Sequence, residues 1–514
     1  MPSSAIPPRH ILAIAVVGRR THLTPVLEIC EVLHSYGHKI TIAGMEGQIH
    51  NLPSWASNTI SVCHAMDDKA AQIHHELCEA VATERKGLKA MAATLTYFDS
   101  FYPEIHRNLK PILAPRTGPE KIDFVIADFF EIAAIDLALE FNIPYATSCT
   151  QISFPLGFAP GIAGIPGQQQ TLMNTENATL VQRTRETWIA LCLLSGLLPF
   201  IRNRLALRAQ NTKIKDRAHI SFINSFMGLE TPVPLDPLVC PVGPLMKASW
   251  APLTPEFSTF LEARSSVVYI GFGTLASMTL VRFTKLRDTI RVLLQSGHID
   301  GAIWSIKKIP AGGEPSAPTK EGSDDDLLAK DSNIMMVPFA PQRAILEHPS
   351  VKLFISHAGA QSTHEAIFHG VLMLCMPIFG DHYPYALRCE ENGGMALRLD
   401  KHDFTVAEAV HKARLLLEDR EGTFGMNSRR MQMLSVVRQR VGPLEAAAKV
   451  LEVLFDHELR LVRPGGLEMK GKMALEPPGK RMGWWKRGGW DMVLLGPFVA
   501  LYLGIGALFN KKAS

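Results

Sequence analysis

The sequence lacks several features that would mark a specialised class. Its 514 residues hold only eight cysteines (Cys30, Cys63, Cys78, Cys149, Cys192, Cys240, Cys375 and Cys389), with no CxxC pair and no dense framework. That excludes a disulfide scaffold and fits buried thiols in a reducing compartment. Charge of one sign is also missing. The chain has 53 basic and 49 acidic side chains and a net charge of +4, so nothing points to nucleic acid as a partner. No secretory signal is visible. Met1 to Arg9 is polar and proline-rich with a single basic residue, and the apolar run Ile11 to Val17 is too short and has no convincing cleavage site. One glycosylation triplet, Asn177-Ala178-Thr179, is what chance provides in a chain of this length.

What is present describes a globular protein of two or more domains. Hydrophobic residues make up 47% and charged residues 20%, enough to fill full cores. Ile11 to Val17 reads as a first buried strand. A loop with Gly18 and His22 follows, then a helix from Pro25 to Ser35 ended by Gly37-His38, and a strand at Lys39 to Ala43. A second such unit runs through Phe124 to Ala127, Ile132 to Phe141 and Pro144 to Ala146, and Ser221 to Asn224 closes the first half. Proline-rich Pro232 to Pro255 marks a linker. Alternation resumes at Val267 to Ile270, with strands near Ala302 to Ile306, Ile334 to Val337 and Leu353 to Ile355. Lys308 to Ser332 has loop composition and reads as a surface insertion. The expected class is α/β, with two Rossmann-like lobes facing a cleft.

The richest stretch is Phe339 to His382. Leu353 to Ser356 reads as a buried strand and His357 to Gln361 as a tight small-residue turn. Ser362-Thr363-His364-Glu365 then opens a helix capped by Ser or Thr. Strand, glycine turn and helix N-terminus together cradle an anion.

This stretch resembles the signature block of the UDP-glycosyltransferases, inverting nucleotide-sugar-dependent enzymes of the GT-B fold. The matching slots hold Phe339, Pro341-Gln342, His357, Gly359, Gln361-Ser362, Glu365, Gly370-Val371, Pro377 and Asp381-His382. Three positions depart from the pattern: Leu372 for Pro, His382 for Gln, and Tyr385 where Asn is common. The resemblance runs from about Ile11 to Phe455. It implies an acceptor-binding N-terminal lobe over 1–245, a linker over 246–262 and a UDP-sugar-binding lobe over 263–460.

It also implies roles. His22, in His22-x-x-Pro25 before Gly37-His38, matches the catalytic base, with a solvated loop histidine as the bland reading. Asp128 is the expected orienting partner, against a helix cap. Gly273-Thr274, His357, Gly359 and Ala360 are expected at the diphosphate, with Ser362 lending its hydroxyl; Gln361 belongs to the same turn. Phe339 is expected against uracil, or else in the core. Gln342 would contact uridine, and Glu365 the ribose hydroxyls, since a carboxylate accepts from a diol. Asp381 and His382 face the sugar, and His382 weakens the assumption of UDP-glucose. Asp324-Asp325-Asp326 lies in the polar insertion and is read as a solvated loop. No metal and no cofactor is implied; the UDP-sugar is a co-substrate.

Met492 to Phe509 contains no charged residue, and its 18 residues span about 27 Å as a helix, near the bilayer core. Basic 461–491 with Trp484, Trp485 and Trp490 precedes it, and Lys511-Lys512-Ala513-Ser514 looks like a dilysine endoplasmic-reticulum signal. The expectation is a transmembrane or re-entrant segment with cytosolic lobes; the opposite orientation is the alternative. Trp188 to Ile201, flanked by arginines, reads equally as an interfacial segment or as a buried helix of the acceptor lobe. The function expected is transfer of a sugar from UDP to a hydroxyl of a small lipophilic acceptor (terpenoid, polyketide or sterol-like). Two other readings stand beside it. One is a degenerate membrane scaffold or ligand-binding subunit, which intact His22 and Asp128 oppose. The other is a lipid-pathway transferase.

Overall fold

The computed structural model describes residues 7–17, 19–48, 52–66, 68–83, 88–114, 118, 120–151, 161–165, 168–211, 220–273, 278–306 and 332–458. The expectations for Thr274, for the insertion with Asp324 to Asp326, and for the tail with its 492–509 segment lie outside the described residues.

The first lobe runs β1 (His10–Ile14), α1 (Arg19–Ser35), β2 (Lys39–Met45), β3 (Asn58–Cys63), α2 (Asp68–Thr83), α3 (Leu88–Asp99), α4 (Tyr102–Leu113), β4 (Phe124–Asp128), α5 (Ile132–Glu140), β5 (Tyr145–Cys149), α6 (Leu180–Asn211), β6 (Ile220–Ile223) and β7 (Val239–Pro241). Its seven strands are parallel, in the order β3-β2-β1-β4-β5-β6-β7. The second lobe runs α7 (Pro255–Glu262), β8 (Val267–Gly271), α8 (Leu280–Gln295), β9 (Gly301–Ser305), β10 (Ile334–Val337), α9 (Gln342–Glu347), β11 (Val351–Ser356), α10 (Ala360–His369), β12 (Leu372–Cys375), α11 (His382–Glu391), β13 (Ala396–Arg398), α12 (Val406–Glu418) and α13 (Thr423–Glu458). Its six parallel strands are ordered β10-β9-β8-β11-β12-β13.

The near-continuous apolar runs follow from helices covering both faces of each sheet. Side chains alternate across a strand, so Ile11 and Ala13 enter one core while Leu12 and Ile14 enter the other. In the second sheet Val267 and Tyr269 separate from Val268 and Ile270 in the same way.

Two elements differ from expectation. Helix α1 begins at Arg19, six residues before Pro25, so His22 lies in a first helical turn and not in a loop. Proline favours helix starts, which suggested the later boundary. Inside α1 it removes the bond to the Thr21 carbonyl and crowds that carbonyl with its ring, a cost the packing of α1 on the sheet offsets. Helix α13 starts on the second lobe and ends on the first. Its Ala446, Ala447, Val450, Leu451, Val453 and Leu454 share a core with Ile11, Ile40 and Phe124. At the crossing Gly442 lies against Val242, where a Cβ would come 1.8 Å from the carbonyl oxygen.

Candidate active site

Parallel sheets place ligands outside the carboxyl ends of the two strands where the chain order reverses. In the first lobe these strands are β1 and β4; His22 lies in the helix after β1 and Asp128 is the last residue of β4. The Asp128 carboxylate accepts a bond from the His22 ring, Nδ1 to Oδ2 at 2.9 Å. Its other oxygen accepts the Phe130 N–H at 3.0 Å, so the carboxylate is fixed on both sides. Asp128 is not the cap of α5; Glu131 holds that position. Burial pulls the His22 imidazole down, but Asp128, with Asp381 and Glu131, outweighs it, and the pKa ends above the ordinary 6.5. Phe129 and Phe130 lie 5.8 and 5.3 Å from the His22 ring, giving it an apolar wall.

Glu131 escaped the sequence reading. Its Oε1 accepts the backbone N–H groups of Val16 and Val17 at 2.7 and 3.0 Å, clamping the turn from which α1 and His22 emerge. Burial raises its carboxyl to about 7. An acid flush with the start of an apolar helix was the available signal.

In the second lobe the order reverses between β8 and β11, and His357 follows β11. Its ring fills the space between two turns. A Cβ on Gly273 would come 3.0 Å from it, and one on Gly359 would come 2.5 Å from Nε2. Burial lowers the His357 pKa to about 4, so the ring is neutral. The N-cap of α10 is Gly359, with no side-chain cap, which corrects the expectation of a Ser or Thr cap. Glycine in an extended conformation leaves the first helical N–H groups, those of Ala360, Gln361 and Ser362, without side-chain partners.

Ser362 and Glu365 instead join a buried amide network. Gln342 Nε2 donates to Glu365 Oε2 at 2.7 Å and to Ser362 Oγ at 3.1 Å, and Gln361 Nε2 donates to Glu365 Oε1 at 2.9 Å. Phe339 is 77% exposed, which removes the core alternative and leaves a free aromatic face beside that network. His382 packs edge-on against His357 at 4.6 Å and is held neutral by burial and by that neighbour. Asp381 stands at the N-terminal boundary of α11 with no side-chain capping bond and couples electrostatically to His22, so the two lobes converge there.

The departures from the family pattern find places here. Tyr385 is buried, and its hydroxyl donates to the carbonyls of Thr150 and Asn224 in the other lobe. His364 Nε2 also meets the Asn224 carbonyl, at 2.7 Å. Leu372 opens β12 and packs against both cores of its lobe.

Two Rossmann-like lobes, with a histidine–carboxylate pair at the carboxyl ends of one sheet and a glycine turn opening a helix at those of the other, have the architecture of the GT-B glycosyltransferases. The family model described as UDP-glucoronosyl and UDP-glucosyl transferase matches residues 56–459. UDP-glycosyltransferase stmC of Aspergillus ustus is 32% identical, with 98% of each chain covered. Among solved structures, Os79 from O. sativa in complex with U2F and trichothecene has a TM-score of 0.62 at 17% identity, covering 86% of this chain and 100% of that one. Medicago truncatula UGT71G1 complexed with UDP-glucose has a TM-score of 0.57 at 17% identity, covering 86% and 98%. The chain belongs to the UDP-glycosyltransferase family and is a UDP-sugar-dependent glycosyltransferase of small molecules.

Proposed function

We propose that the enzyme transfers a sugar, with inversion, from a UDP-sugar to a hydroxyl of a small lipophilic acceptor of terpenoid, polyketide or sterol-like type. The observation that carries this is the His22–Asp128 pair, set in an apolar wall and electrostatically coupled to Asp381. His22 Nε2 takes the hydroxyl proton. The acceptor oxygen attacks the anomeric carbon from the face opposite UDP, and the bond from that carbon to the diphosphate oxygen breaks. Asp128 fixes the tautomer and stabilises the imidazolium.

Charge growing on the diphosphate meets the N–H groups of Ala360, Gln361 and Ser362 and the positive end of α10, with neutral His357 as a further donor. Gly273 borders the same phosphates. Phe339 stacks on uracil, Gln342 binds the uridine and Glu365 the ribose. The scheme calls for no metal and no cofactor. UDP release measured over a panel of donors and acceptors, with products identified by mass spectrometry, tests the reading; no acceptor-dependent release with any pair would overturn it.

Asp381 and His382 read the sugar. His382 donates and accepts from different positions than the glutamine usual in the family. His382→Gln is expected to shift relative kcat/KM among UDP-sugars toward UDP-glucose by about fivefold or more, the worth of one altered hydrogen bond. An unchanged donor profile would show that His382 does not contact the sugar.

The 492–509 run and its basic approach support an anchor in the endoplasmic reticulum with cytosolic lobes. Truncation after Glu468 is expected to free much of the protein from the membrane pellet and to keep turnover of a water-soluble acceptor. Loss of activity toward every acceptor would assign the tail a role beyond anchoring. Protease digestion of the lobes in intact microsomes reports their side.

A further inference from the structure

Helix α6 carries a large apolar surface that little of the described chain covers. It is long and apolar enough to cross a membrane, yet only 11% of its most apolar window is buried. Its side chains divide cleanly. On the inner face Glu186 accepts the N–H groups of Gln170 and Thr171 at 2.8 and 2.9 Å. Arg204 pairs with Asp99 at 2.6 Å and Arg208 with Asp136 at 2.8 Å. These bonds lay the helix along the lobe, against α3, so it cannot stand through a bilayer.

The outer face carries Trp188, Leu191, Leu194, Leu198 and Leu205, all exposed, at helical spacings that form one stripe. The stripe is about 26 Å long at the helical rise. Arg183 and Arg185 lie before it and Arg202 within it, all three exposed and without ion pairs among the described residues. The only acid in the helix is the buried Glu186.

We propose that α6 is an in-plane docking face for an anionic phospholipid bilayer. An apolar stripe flanked by outward arginines, with no exposed carboxylate, matches acyl chains below and anionic headgroups around them. A second copy of the chain fits less well. Antiparallel packing of two α6 helices with their stripes overlaid would bury each Arg202 opposite the Leu191 of the other copy, with no exposed acid on the helix to pair it. The tail after Glu458 is also basic, with Lys470, Lys472, Lys480, Arg481, Lys486 and Arg487 before its apolar run, so it shares the preference of α6 and does not complement it.

The face leads to the chemistry. Helix α6 packs on α3, whose Phe98 ring lies 5.5 Å from Phe130, itself 5.3 Å from the His22 ring. An acceptor dissolved in the bilayer would meet half-buried aromatic side chains between the docked helix and the base. The docking proposal rests on α6 alone and stands whichever acceptor is used.

The test uses the full chain with Leu191→benzoylphenylalanine, photolysed with phosphatidylcholine vesicles with and without phosphatidylserine. A control carries the same probe at Leu415, an exposed position on α12 of the other lobe. Expected is a lipid adduct on the α6 peptide that needs phosphatidylserine, exceeds that at position 415, and fades in high salt. Charge reversal of Arg183, Arg185 and Arg202 is expected to reduce it, each lost arginine lowering partitioning about fivefold. Equal labelling at 191 and 415 would overturn the proposal, since the tail alone would then account for proximity. So would a crosslinked dimer, which assigns the stripe to a second copy, or an adduct to a 459–514 peptide, which assigns it to the chain's own tail.

Discussion

Replacing His22 by alanine is expected to lower kcat by at least about 10²-fold while UDP binding stays near its wild-type value. The separation follows from the fold. His22 stands beyond the carboxyl end of β1 in the first sheet, whereas the turn at His357, proposed to hold the diphosphate, follows β11 of the second. Removing the imidazole takes away the proton acceptor and leaves the amide network of Gln342, Ser362 and Glu365 intact. The pH dependence supplies a second readout. His22 is raised above 6.5 because Asp128, Asp381 and Glu131 outweigh its burial. A base works only when deprotonated, so kcat/KM should fall as pH drops through that raised value. Asp128→Asn removes the largest of the raising influences, and the acidic limb should move to lower pH as turnover falls. Near-normal turnover of His22→Ala on a verified acceptor would take His22 out of the mechanism.

Much of this site was legible because its parts are local. Asp128 ends a strand of apolar residues, His357 follows one directly and His22 opens the helix after another, and a strand's carboxyl end is visible in sequence. Glu131 was not read because its carboxylate serves Val16 and Val17, 115 and 114 residues away. The start of α1 was misplaced because Pro25 carries a strong boundary signal that tertiary packing overrode. Sequence could not decide whether Trp188 to Ile201 is covered. Both faces of α6 are apolar there, and the bonds of Glu186 to Gln170 and Thr171 and of Arg204 and Arg208 to Asp99 and Asp136 select the inner one. The crossing of α13 was equally hidden: its first half carries four arginines and no acid, its second four acids and one lysine, and neither pattern says which lobe a half meets. In the sequence Tyr385 is only a departure from the Asn common at that place. In three dimensions its hydroxyl joins the lobes.

That junction supports the second large expectation. Arg388→Met should destabilise the protein by about 3–5 kcal/mol, the cost of leaving a buried charge without its partner. Arg388 is fully buried on α11, and its Nε lies 2.9 Å from Glu230 of the first lobe, itself 3% exposed. The same guanidinium donates to Gln151 at 3.1 Å and lies 5.0 Å from the Tyr385 ring. Burial already raises the Glu230 carboxyl, with Arg388 opposing that shift. A carboxyl whose folded pKa stands above its unfolded value favours the native state at low pH, and that contribution is lost as pH rises through the folded value. Without Arg388 the shift grows. The deficit in Tm should therefore be small in acid and widen as pH rises above the ordinary 4.5 of a glutamate. Arg388→Met combined with Glu230→Leu should recover much of the loss, because the stranded charge is gone. Thermal unfolding of the two variants and the wild type across pH measures all three statements. A flat pH dependence for Arg388→Met would show that Glu230 finds another partner or water. The double variant also separates stability from geometry. If it is stable yet slow at saturating substrate, the ion pair sets the approach of Asp381 to His22 as well as holding the lobes together.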